Sequence, residues 1–83
     1  MKLVHLWWVD SCSPTDSGWQ STIGRSPSST ILCESIEWIV YEDAEVITLA
    51  GHLSYGAHDG TVNQCHGEMT IPKVALVKRR KVT

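Results

Sequence analysis

Residues 31–42, ILCESIEWIVYE, limit the possible folds more than any other stretch of the chain. They contain neither glycine nor proline. Ile36, Trp38 and Val40 alternate with Ser35, Glu37, Ile39 and Tyr41, the period of a strand rather than a helix. The Ile36–Trp38–Val40 side reads as the buried one. Glu42-Asp43-Ala44 then supplies a tight turn, and residues 45–54, EVITLAGHLS, supply a second strand. The two runs form a hairpin. Gly51, inside the second run, predicts a bulge or a close backbone approach.

The flanking segments extend this β pattern. Residues 2–10, KLVHLWWVD, place Leu6, Trp8 and Asp10 on one face of a strand and His5, Trp7 and Val9 on the other. Both faces are partly apolar, so both are expected to be covered, one by the core and one by another subunit or element. Residues 11–30 are rich in turn formers. Pro14 with Asp16 can start a turn or two of helix through Trp19, and 24–30 read as loop. Residues 55–60 are a turn. Residues 61–71 pair back as a fourth strand with a bend at Gly67, and Pro72 ends it. Residues 74–82 form a last strand, with Val74 and Leu76 on one face and Ala75 and Val77 on the other. The expected fold is mostly β: one domain over 1–83, a small five-stranded, bent β-barrel of the SH3-like or Sm-like kind, with a short helical or loop insert after strand one. A five-stranded meander or split sheet is the alternative.

At 83 residues the chain has little core of its own, and such domains lean on metals, disulfides or oligomerisation. Its three cysteines, Cys12, Cys33 and Cys65, lack a framework spacing, which points to reduced thiols. Neither a signal-peptide pattern nor a run long enough for a transmembrane helix is visible, so no membrane association and an intracellular location are expected. The formal charge of −2 is unevenly placed, with Glu34, Glu37, Glu42, Asp43 and Glu45 in the middle and Lys78–Lys81 near the end. Nucleic acid is therefore a poor candidate partner, although Sm-like barrels as a class include RNA binders.

Several pieces carry a family resemblance: WVDS at 8–11, GWQ at 18–20, CESIEWIVYED at 33–43, VITLAGHLS at 46–54 and CHGEMTIPKVALVKRRK at 65–81. Together they resemble a family of small proteins encoded by bacteriophages and prophages. The chain departs from that pattern at STIGRSPSST, where relatives carry an acidic helical run, and at Glu37, where they carry glycine. The resemblance brings no assigned chemistry. It implies a phage origin, work in a host cytoplasm and a small accessory role.

Metal, catalytic and phosphate-binding motifs are weak. His52, His58, Cys65 and His66 are ligand types without the spacing of a zinc site, and the adjacent Cys65 and His66 point to opposite faces of a strand. No nucleophile motif is present, and Cys12 near a helix start is the sole hint of reactivity. Neither an enzyme nor a cofactor is expected. The tryptophans carry more. Trp8 and Trp38 fall on the faces expected to be buried. Trp7 and Trp19 do not, and exposed indoles call for a cover, either a second subunit or a planar ligand. Asp10 and Ser11 lie close in sequence and offer hydrogen bonds. Lys78 and Arg79 can hold phosphate, although basic residues also guard an edge strand.

The expected ligand site is therefore Trp7, Asp10, Ser11, Trp19, Lys78 and Arg79. The expected function is a homo-oligomeric phage counter-defence sponge that sequesters a small nucleotide-type ligand between subunits. The alternatives are an inhibitor or adaptor of a host protein and, third, an RNA-binding Sm-like module.

Overall fold

The computed structural model describes residues 1–11, 19, 21–24, 30–56 and 60–83. Seven strands run through it: β1 (Leu3–Asp10), β2 (Ile31–Glu42), β3 (Val46–Ala50), β4 (His52–Tyr55), β5 (Val62–His66), β6 (Met69–Pro72) and β7 (Leu76–Lys81). A 3-10 turn, Lys73–Ala75, joins β6 to β7. The main sheet is antiparallel, in the order β6-β3-β2-β1-β7, and β4 and β5 make a separate two-stranded ribbon. The helical start expected at Pro14 and Asp16 lies outside the described residues. No helix among the described residues is long and apolar enough to cross a membrane.

Turn chemistry sets the β2–β3 hairpin. Asp43 Oδ1 accepts the N–H groups of Glu45 (2.8 Å) and Val46 (2.9 Å), and Oδ2 accepts the Tyr41 hydroxyl (2.8 Å). These donors, the two N–H groups first, hold the Asp43 carboxyl below its ordinary range. The expected third and fourth strands are each present in two pieces. Gly51 separates β3 from β4. Gly67, at φ +76°, separates β5 from β6 in a conformation that side chains other than glycine's rarely adopt.

The sheet is rolled, and the chain length at one connection requires it. Pro72 and Leu76 sit on opposite edge strands, four Cα steps apart, so they are within about 14 Å of each other. In a flat sheet the two edges of five strands would lie about 19 Å apart. The expected mostly β fold with a five-stranded antiparallel sheet is present, but no closed barrel forms among the described residues. Among the described residues β6 and β7, joined by the 3-10 turn, are not hydrogen-bonded to each other, which leaves an open roll.

The inside of the roll is the core: Val4 and Leu6 of β1, Ile47 and Leu49 of β3 and Ile71 of β6, all at most 2% exposed. Trp8, Ile39, Met69, Ala75 and Leu76 pack against them. The Trp8 indole N–H donates to Ser35 Oγ at 3.0 Å, so this tryptophan packs its half-buried ring on the core with its polar atom satisfied. Val74, placed by periodicity in a strand beside Leu76, instead lies in the 3-10 turn and is exposed, while Ala75 packs on the core.

The register of β2 reverses another expectation. Val4 faces Glu37 and Leu6 faces Ser35, so the polar side of this part of β2 points into the roll. Glu37 Oε2 is buried there with no hydrogen-bond partner among the described residues. Ile36, opposite His5, and Trp38, opposite Leu3, lie on the outer face. Ile36 is 56% exposed and Trp38 is half-buried outside the core cluster. An irregularity in the register at Val40 then shifts the alternation. Tyr41 pairs with Thr48 on the outer face and Glu42 pairs with Ile47 on the inner one.

That shift lets Glu42 fasten the roll. Its carboxylate accepts two hydrogen bonds from the Arg79 guanidinium, at 2.7 and 3.1 Å, and pairs with Lys73 Nζ at 2.8 Å. It thus joins β2, the 3-10 turn and β7, which are not neighbours in the sheet. The Arg79 hydrogen bonds, then that of Lys73, hold its carboxyl down at about 2. The Lys73 N–H also donates to Glu45 O at 2.8 Å.

Candidate binding face

The outer face of β2–β1–β7 gathers most of the molecule's unusual side chains. Across β1, His5 faces Ile36 on one side and Arg80 on the other, Trp7 faces Glu34 and Lys78, and Val9 faces Leu32 of β2. Leu32 and Ile36 are 64% and 56% exposed. With the half-buried Trp7, Val9 and Trp38 they make an apolar strip on the side of the sheet away from the core.

Beside the strip sits an ordered polar cluster. His5 is 7% exposed. Its ring stacks on Trp7, with centroids 3.7 Å apart and planes 24° apart. Arg80 Nη2 lies 3.0 Å from Nδ1, and Glu34 Oε2 lies 3.0 Å from Nε2. Guanidinium has only donors and carboxylate only acceptors, so the tautomer that satisfies both keeps Nδ1 bare and donates from Nε2–H. Lys78 Nζ lies 4.9 Å from the Trp7 ring centre, a cation–π contact. The indole is thus held between His5 and Lys78.

The residues expected to form one site fall in separate places. Trp7 and Lys78 do meet, on the outer face. Arg79 belongs to the Glu42 tie. Asp10 and Ser11 lie at the end of β1, where Asp10 Oδ1 accepts the Ser11 N–H at 2.8 Å. They line a cleft of about 380 Å3 with Trp8, Pro72 and Ala75, at an open part of the roll. Trp19 is fully exposed. One chain does not bring these six side chains into a single pocket.

Three features went unread in the sequence. The buried His5 network depends on the β1–β2–β7 register. The Glu42 tie depends on the irregularity at Val40. His52 and His66 pair directly across the β4–β5 ribbon, with ring centroids 6.1 Å apart. Only this last had a sequence signal, since counting one residue inward from each of Gly51 and Gly67 gives the pairing. Cys33 and Cys65 are free, and Cys65 Sγ–H donates to Glu68 Oε1 at 2.9 Å, which raises its pKa. Cys12 and His58 lie outside the described residues. No family model, curated protein or solved structure matches the chain.

Proposed function

We propose that the chain is a small SH3-like binding module that associates with itself through the outer face of β1 and β2 and takes an anionic, planar ligand of the nucleotide type beside that contact. The observation that carries the reading is the orientation of β2. It turns Leu32, Ile36 and Trp38 outward and Ser35 and Glu37 inward, so the more apolar side of its longest strand is left for something outside the roll. Lys78 over Trp7 lies at the margin of the same strip and offers a cation next to an aromatic edge. The SH3-like assignment is supported by the strand order β6-β3-β2-β1-β7 and by the 3-10 turn between the two edge strands.

The reading is one of binding without catalysis. It fits the resemblance to phage accessory proteins, which suggests a counter-defence sponge working in a host cytoplasm. A second reading, an inhibitor or adaptor of a host protein, is favoured by the edges of β6 and β7, which no strand of the main sheet covers and which a partner strand can extend. RNA binding is disfavoured because Arg79 is engaged by Glu42 and Arg80 by His5, leaving no continuous free basic stripe among the described residues.

Light scattering combined with thermal scans tests the proposal. The wild type is expected to be oligomeric and to melt higher with a member of a panel of mono-, di- and cyclic nucleotides. Ile36→Glu should be monomeric with its β-sheet circular dichroism intact, and Lys78→Ala should stay oligomeric but lose the nucleotide response. A wild-type monomer with no nucleotide response overturns the proposal. A monomer or oligomer that instead captures a host protein, with capture lost on placing proline in β7, establishes the second reading.

A further inference from the structure

We infer that His52 and His66 form a two-imidazole clip for a divalent transition-metal ion on the β4–β5 ribbon. The inference is independent of the outer-face reading.

The two residues occupy directly opposed positions, and the ladder fixes their spacing. Their rings lie 6.1 Å apart between centroids, tilted by 54°. Both side chains are exposed, and among the described residues neither ring makes a hydrogen bond that would occupy its lone pair. Gly67 helps to set the position of His52: a Cβ built on this glycine would lie 3.8 Å from His52 Cδ2, so the ring packs against the bend. A metal ion bound at about 2.0 Å to one nitrogen of each ring needs centroids about 5 Å apart. Closing the gap by about 1 Å takes only side-chain rotation at two exposed positions.

The surroundings suit a cation. The two histidines line a cleft of about 510 Å3 with Gln64, which shares their side of the ladder, while Glu68, also at the cleft, is engaged by the Cys65 thiol. Cys65 lines it as well, but its thiol is committed to Glu68, and its pairing with Leu53 places it on the other side of the ribbon ladder from the His52–His66 pair. No three ligand-type residues among the described ones converge on one point. The clip is therefore a two-nitrogen site with water completing the shell, unlike a four-ligand structural centre. Imidazole nitrogens select Ni2+, Cu2+ or Zn2+ over Mg2+ and Ca2+, which prefer oxygen.

The test is calorimetric titration of the untagged full chain with Ni2+, which does not oxidise thiols. One ion per chain is expected. His52→Ala and His66→Ala should each weaken binding by at least about tenfold, since either removes half of the protein ligands. Cys65→Ser should leave it within about twofold. These are exposed positions, so all three variants should fold, and circular dichroism checks that. A parallel titration with Zn2+, followed by NMR of the imidazoles, should move the His52 and His66 signals and leave His5 in place. Titration without saturation, wild-type affinity in either histidine variant, or a shift confined to other histidines overturns the clip.

Discussion

Glu42→Gln is the sharpest probe of how the open roll is held together. Glu42 is 27% exposed, and its carboxyl sits at about 2 instead of its ordinary 4.5. A displacement of that size corresponds to about 3 kcal/mol of favourable interaction for the ionised form. Water also reaches the two cations, with Arg79 41% and Lys73 30% exposed, so screening reduces the net contribution to about 1 kcal/mol. For a domain of this size the variant should melt about 5 °C below the wild type at neutral pH. Because the folded pKa lies below the ordinary one, the contribution is complete above pH 4.5 and is lost as pH falls toward 2. Thermal scans of both proteins from pH 7 to pH 2 should therefore show a gap that closes over that window. The difference between the two curves isolates Glu42 from other carboxyls such as Asp43. A gap below about 1 °C at pH 7, or one that persists unchanged at pH 2, would refute the reasoning that this carboxylate fastens β2 to β7.

Two further predictions concern the bent hairpin. Gly67→Ala should cost about 1 kcal/mol or more in urea unfolding, because its φ of +76° strains any side chain, whereas Gly51→Ala should cost less, since its Cβ would meet only Glu37 Oε1 at an ordinary 3.7 Å. Equal costs at the two glycines would contradict the assignment of the bend. Glu68→Gln should speed alkylation of Cys65 by iodoacetamide at pH 8, read by peptide mass mapping, because the Glu68 hydrogen bond raises the thiol pKa and holds back the thiolate; an unchanged rate would mean that the hydrogen bond does not govern the thiol.

The sequence made the strands readable wherever local chemistry decides them. β2 begins and ends where the alternation and the Asp43 turn place it, and β1 is shifted by one residue at its start. Gly51 and Gly67 were legible as interruptions because glycine marks a bend whatever packs around it. The face of β2 was not legible. Its alternation gives two sides, and which side points inward depends on pairing with β1, whose own two sides are both apolar. The more apolar side of β2 was assigned to the core, and the register puts it outside. The last strand starts later than its periodicity suggests because Pro72 leads into a 3-10 turn that absorbs Val74. At the site, Trp7 and Lys78 were each named, but their contact comes from the β1–β7 register, which neither strand shows alone. Arg79 was grouped with Lys78, but adjacent strand residues face opposite ways, and the structure has Lys78 on Trp7 and Arg79 on Glu42.

The pairing of β1 with β7 has a consequence for how the protein forms. Leu3 O accepts the Val82 N–H, and the Leu3 N–H donates to Thr83 Oγ1, a contact between residues 80 positions apart. On a ribosome, β1 is made before β7 and keeps one ladder edge open until β7 has emerged. The β2–β3 hairpin can form early, from neighbours in sequence, while the β1 edge is paired only once β7 is available. High contact order of this kind slows the final step and leaves an exposed strand edge in the meantime. Expression yield should therefore respond more to changes in β7 than to equally exposed changes in the β4–β5 ribbon.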